Sequence, residues 1–222
     1  MKVSGYCSRW TFILDRCLGK TVLHLGCIGE TEVPPHAKLE AFAAGQVLHP
    51  QLAAIARSLV GVDIDAATVE LIHSRLGQNG ILAGDVEHLE SLALEGTFDI
   101  VLCGNLLEHL SCPGRVLDGV RRFMTPSSQL IISVPNSFAL LANLRFCLGR
   151  FREGTQHVAS FSKFNIETLV ERHGFHLKEL YSAYDQPPTT WEGRIKLAWG
   201  APFFKLLPER GGTLLAVASL SP

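Results

Sequence analysis

The chain has 222 residues, 47% of them apolar and 18% charged, with a formal net charge of −1. This is enough for one sizeable α/β core and short for two. The near-neutral balance lacks the basic face that nucleic-acid binders use to neutralise phosphates, so no nucleic acid is expected as partner. The six cysteines form no C-x-x-C pair, which argues against a zinc ribbon or redox motif, and no metal is implied. The absence of a long apolar N-terminal stretch or an apolar run of about 18 residues predicts neither a signal peptide nor a membrane span, so a cytoplasmic location is the default expectation.

In chain order, a helix is expected over 6–18, then a strand over 20–25 that stops at Gly26. The stretch 28–37 reads as irregular. A helix over 49–56, a strand over 58–64 and a helix over 66–76 follow, with Asp65 as N-cap of the last. A short strand spans 79–83 and another 98–103. A helix over 113–124 starts on Pro113, and a strand over 129–134 stops at Pro135. Segment 149–160 is irregular. A helix over 163–173, capped by Ser162, ends at Gly174, and weaker strands cover 176–183 and 213–219, with irregular chain over 185–194 between them. The first five strands are nearly continuous apolar runs, as strands buried on both faces must be. Alternation of strands and helices predicts a doubly wound, mostly parallel, seven-stranded Rossmann-like α/β sheet with helices on both faces. One domain is expected over 1–222: an N-terminal helix to 19, a cofactor-binding half over 20–135, and an acceptor-side half over 136–222.

Ligands of such sheets bind beyond the carboxyl ends of the strands. The first strand is followed there by Gly26, Cys27, Ile28 and Gly29, where glycine allows close approach of backbone to a ligand. The second ends in Asp63, a carboxylate able to accept from a ribose diol. Gly84, Asp85 and Val86 follow the third, an acid and a backbone N–H suited to an adenine edge. Gly104, Asn105, Leu106, Leu107, Glu108 and His109 follow the fourth.

These pieces, in this order, resemble the class I S-adenosylmethionine-dependent methyltransferases: 22–27 (VLHLGC), 60–65 (VGVDID), 83–89 (AGDVEHL), 98–110 (FDIVLCGNLLEHL), Pro113-Gly114, 133–136 (SVPN) and 157–162 (HVASFS), then a helix ending in 173–175 (HGF). The resemblance covers about residues 20 to 182, and the 98–110 and 133–136 pieces look most like the branch acting on small molecules and glycans. It implies S-adenosyl-L-methionine as cofactor. His24, Gly26, Cys27 and Gly29 then cradle its methionine part, Asp63 and Ile64 hold the ribose, Asp85 and Val86 the adenine, and Asn105 and Leu106 lie near the methyl group. The implied reaction is methyl transfer to a hydroxyl, or secondarily an amine, of a small molecule or sugar, with His109 or His157 as general base. The chain departs from the family at the glycine loop: His24 stands where an acid is usual, and Ile28 and Glu30 where glycines are. Glu30 or Glu32 are the carboxylates able to replace the lost acid. The alternative is a methyltransferase-like binding or regulatory protein without catalysis. A nicotinamide enzyme fits less well, because Gly26-x-x-Gly29 is not G-x-G-x-x-G.

Three further features have bland counterparts. Glu108 and His109 either solvate a helix start or reach the substrate. The remaining histidines (24, 36, 49, 73, 88, 173 and 176) show no metal spacing and read as structural or exposed. Segments 138–152 and 194–207 mix apolar residues with Arg145, Arg150, Arg152, Arg194, Lys196 and Lys205. They are either helices packed on the domain with a wet basic face, or a lid over the acceptor site or weak contact with a membrane surface.

Overall fold

A computed structural model describes residues 2–29, 32–150, 154, 156–185 and 190–221. Eight strands form one sheet: β1 (Tyr6–Ser8), β2 (Thr21–Leu25), β3 (Ser58–Asp63), β4 (Ile81–Ala83), β5 (Phe98–Gly104), β6 (Met124–Pro135), β7 (Phe175–Tyr184) and β8 (Thr213–Leu220). Their order is β1-β7-β8-β6-β5-β2-β3-β4. All pairings are parallel except the two made by β8, which runs antiparallel between β6 and β7. The doubly wound, mostly parallel sheet is as expected.

The count of seven strands needs one correction. Tyr6–Ser8, expected as the start of a helix, pairs in parallel with Ser182–Tyr184, and the helix α1 begins only at Arg9 (Arg9–Cys17). Ser8 ends the strand and caps the helix, its Oγ accepting from the Thr11 N–H at 3.3 Å. A second correction concerns the stretch expected to be irregular over 28–37. Helix α2 (Pro35–Ala43) starts inside it, because Pro35 sits in the first turn, where its missing N–H costs nothing. Helix α3 is Leu48–Ala53 and α4 is Ala66–Leu76. Asp65 caps α4 as expected, its Oδ1 accepting from Thr68 N–H at 3.0 Å. Helices α5 (Pro113–Val120), α6 (Leu140–Cys147), α7 (Lys163–Arg172) and α8 (Trp191–Leu206) complete the chain. Ser162 and Asn165 form the capping box of α7.

Successive residues of a strand point to opposite faces, so each central strand feeds two cores. Leu23, Leu25, Val101, Cys103, Leu130 and Ile132 pack on one face with α5 and α7. Val22, Ile100, Leu102, Ile131 and Val217 pack on the other, against Trp10 and Ile13 of α1 and Leu48 and Leu52 of α3. Each fully buried Leu, Ile or Val contributes roughly 1.5–3 kcal/mol. This rigid frame brings the carboxyl ends of β1 to β7 to one edge. The chain leaves β2 toward β3 on one side and later returns to β5 on the other, so a crevice opens between the ends of β2 and β5. Among the described residues, no helix is long and apolar enough to cross a membrane.

Candidate active site

A cavity of about 990 Å³ occupies the crevice. All ten residues expected to hold cofactor line it: His24, Gly26, Cys27, Gly29, Asp63, Ile64, Asp85, Val86, Asn105 and Leu106. Gly26 and Gly29 both have positive φ, 66° and 117°. At Gly26 a Cβ would lie 2.9 Å from Leu106 Cδ1, so a larger residue there would push the Leu106 side chain aside as well as strain a positive φ. Open space surrounds the position a Cβ would take at Gly29.

Asp63 organises the loop. Its Oδ2 accepts from the Ile28 N–H at 2.8 Å and its Oδ1 from the Asp65 N–H at 3.1 Å. Burial pushes its pKa up, and these two backbone hydrogen bonds pull it part of the way back. Behind it the buried Lys38 of α2 pairs with Asp65 at 2.6 Å. Burial raises the Asp65 carboxyl, but hydrogen bonds from Lys38 and Thr68 leave it below the usual range. Asp85 caps the turn after β4 through Oδ1, which accepts from the Glu87 N–H at 2.9 Å. Asn105 has φ 50°, a left-handed conformation that asparagine tolerates, and Ser133 Oγ donates to its Oδ1 at 2.8 Å. Glu32 also lines the cavity; Glu30 lies outside the described residues, as do Arg152 and the side chains of Lys196 and Trp199.

His157 comes together with the adjacent Glu108 and His109 from a distant part of the sequence. The backbone oxygen of Glu108 accepts from Val158 N–H at 2.8 Å, which clamps the irregular segment 157–160 to the turn after β5. The rings of His109 and His157 meet edge to face at 4.9 Å between centroids. Glu108 is only 2% exposed, its Oε2 has no hydrogen-bond partner among the described residues, and burial pushes its pKa to about 7. One donor atom from each of the three lies within 4.8 Å of the others, a set that could also hold a divalent cation. A second cavity of about 700 Å³ adjoins the first, and His157 lines both. Helices α6 and α8 contribute Leu141, Arg145, Phe146 and Phe204 to it.

Two groups, one in the crevice and one buried behind it, were not legible as site residues. Arg9 reaches the ends of β5 and β6, where its Nη1 donates to Ser133 Oγ at 3.3 Å. Its Nε stands 2.7 Å from Asp185 Oδ1, an ion pair by distance that is not aligned as a hydrogen bond. His49 of α3, read as structural or exposed, is buried against His24 with 3.2 Å between the two Nδ1 atoms. Pairing of β1 with β7 carries Arg9 and Asp185 to the crevice, and the signal for that pairing is only three residues long.

A family model described as a methyltransferase domain matches residues 42–132. Ubiquinone biosynthesis O-methyltransferases are similar over most of the chain. The protein of Xanthomonas euvesicatoria pv. vesicatoria is 26% identical over 189 residues, covering 81% of this chain and 71% of the relative. The protein of Xanthomonas oryzae pv. oryzae is 29% identical over 188 residues, with the same coverage. Among solved structures, an S-adenosylmethionine-dependent methyltransferase from Clostridium acetobutylicum superposes with TM-score 0.59 at 10% identity, covering 96% of this chain and 91% of that one. One from Archaeoglobus fulgidus gives 0.56 at 19%, covering 95% and 91%. At such identities these two likenesses speak for the fold.

Proposed function

Because this chain belongs to the class I S-adenosylmethionine-dependent methyltransferases, we propose that it methylates a hydroxyl of a small molecule, with Glu108, His109 and His157 handling the acceptor's proton. The observation that carries this reading is the position of His157 at the junction of two cavities, beside the buried Glu108 carboxyl, whose Oε2 has no hydrogen-bond partner among the described residues. The larger cavity suits the cofactor: positive-φ glycines admit close backbone approach, and Asp63 and Asp85 keep lone pairs for ribose and adenine. Arg9 adds a cation for the carboxylate of an amino-acid end. The smaller cavity suits the acceptor.

When bound, the cofactor supplies an electrophilic methyl group on a sulfonium. The chain's task is then to align an acceptor oxygen in line with that methyl, exclude water and take one proton. As the acceptor oxygen bonds to the methyl carbon, the carbon–sulfur bond breaks and its electron pair goes to sulfur. The proton leaves toward His157 or His109. Glu108, its pKa raised to about 7 by burial, places a compensating negative charge beside the imidazole once it ionises. A hydroxyl is favoured over an amine because the relatives named above are O-methyltransferases. The reading that the chain binds without turnover rested on the altered glycine loop; Asp63, Gly26 and Gly29 nonetheless retain a geometry that suits a cofactor.

Incorporation of labelled methyl groups across sugar, phenolic and quinol acceptors tests the reading. Transfer to oxygen in excess chelator supports proton transfer by side chains. Activity lost to chelator and restored by a divalent cation would assign the three residues to a metal instead.

The surface around the smaller cavity supports a lipid contact. Helix α6 has no buried residue, and Leu144, Phe146 and Leu148 stand exposed on it and just beyond it, Phe146 at 69%. Helix α8 adds Trp191, Ile195, Phe203 and Leu206. Arg145, Arg150, Arg194 and Lys205 lie among them, a composition that favours an anionic lipid surface. An amphiphilic acceptor held in such a surface would meet the smaller cavity directly.

A further inference from the structure

The residue at the end of β2 is a histidine where the resemblance expects an acid, and a second histidine is built against it. His24 and His49 lie with their Nδ1 atoms 3.2 Å apart and their rings stacked at 18°, 5.4 Å between centroids. Both are buried. Their positions leave little freedom. A Cβ on Gly61 would sit 2.8 Å from His49 Cε1, and the Phe42 ring lies 5.8 Å from His49. Burial pushes both pKa values down, His49 to about 4; for His24 the neighbouring His49 and the Arg9 charge add to the effect. Two neutral imidazoles meeting at Nδ1 share one proton. The ring that donates at Nδ1 has a bare lone pair at Nε2, and the ring that accepts carries its proton at Nε2. The tautomers of the two rings are therefore tied together, one of each kind. His24 lines the large cavity, whereas His49 does not.

We propose that His49 is a positioning residue that accepts the Nδ1 proton of His24 and so leaves His24 Nε2 as a hydrogen-bond acceptor for the ammonium of the cofactor's amino-acid end. The pair thus supplies an acceptor without burying an unpaired carboxylate beside Cys27 and Leu48, a charge that would be costly there. It also explains why the altered glycine loop comes with a buried histidine on α3. The inference rests on the cofactor reading above.

The test uses the full chain labelled with ¹⁵N-histidine. The imidazole ¹⁵N shifts report which nitrogen carries the proton, with S-adenosylhomocysteine and its deaminated analogue as probes. Expected is an Nδ1–H tautomer at His24 and an Nε2–H tautomer at His49 in the complex. His49→Phe should weaken S-adenosylhomocysteine about tenfold, the size of one hydrogen bond to a charged group. It should leave the deaminated analogue unchanged, and His49→Gln, which restores an acceptor, should recover most of the loss. An Nε2–H tautomer at His24 in the bound wild-type protein overturns the proposal even if His49→Phe fails to fold. An equal loss for both probes overturns it too. Absence of any S-adenosylhomocysteine binding by the wild-type chain overturns the cofactor reading and this inference with it, a result distinct from the other two.

Discussion

Asp63 Oδ2 accepts the Ile28 N–H at 2.8 Å, so the carboxylate that ends β3 also holds the glycine loop that follows β2. The same side chain takes the Asp65 N–H through its other oxygen. A ligand resting on the remaining lone pairs would therefore meet a group already oriented from two sides, with little reorganisation left to do on binding.

Asp63→Ala removes both backbone partners. Cofactor affinity should fall about a hundredfold, the sum of a lost ligand contact and a loosened loop. Stability should fall less, by about 1–2 kcal/mol, because burial already disfavours this charge. Calorimetric titration and urea unfolding measure the two effects separately. Unchanged cofactor affinity would place the ribose elsewhere.

Glu108 gives a pH dependence of defined sign. Its native pKa is raised to about 7, so between the ordinary carboxylate range and that value the native state binds more protons than the unfolded one. Its contribution to stability should therefore decline as pH rises through that window, by about 3 kcal/mol in total, read as the difference between the wild type and Glu108→Gln. Methyl transfer should instead rise through the same window, as the carboxylate ionises beside the histidines, and Glu108→Gln should lose that rise. Urea unfolding and initial rates at pH 5 to 9 check both.

The His24–His49 pair contributes the opposite slope over an overlapping window, so the two contributions are separated by their variants. His49 is depressed to about 4, so below its ordinary value the unfolded chain binds the extra proton. Its contribution to stability should drop by about 3 kcal/mol as pH falls from the ordinary histidine range through that value. His49→Phe should remove this part of the acid lability, whatever its cost at neutral pH. An unchanged acid limb in that variant would mean that the ring is not buried as a neutral group.

Much of this was legible in the sequence for one reason: a parallel sheet places function at strand ends, and strands buried on both faces announce themselves as apolar runs. Gly26, Asp63 and Asp85 could be found because each directly follows such a run. Arg9 and Asp185 could not, since they reach the crevice through the short edge pairing of Tyr6–Ser8 with β7, whose half-buried residues leave no pattern. His49 was hidden because its partner is 25 residues away across a crossover with no periodic signal. The stretch 28–37 read as irregular, although the proline at 35 sits in the first turn of a helix. The buried state of Glu108 was equally out of reach, since it depends on the 157–160 segment folding back over it.

The exposed apolar residues of α6 predict binding to anionic vesicles and little to neutral ones. Leu144→Asp with Phe146→Asp should weaken vesicle co-sedimentation at least tenfold without lowering stability, because neither side chain is buried. Equal sedimentation of the variant and wild type would remove the lipid contact from the account.

The central claim is that this crevice holds S-adenosylmethionine despite the histidine at the end of β2. Titration calorimetry of the full chain with S-adenosylmethionine tests it most directly. The account predicts saturable one-site binding that S-adenosylhomocysteine competes away. No detectable heat or competition at millimolar cofactor would contradict it.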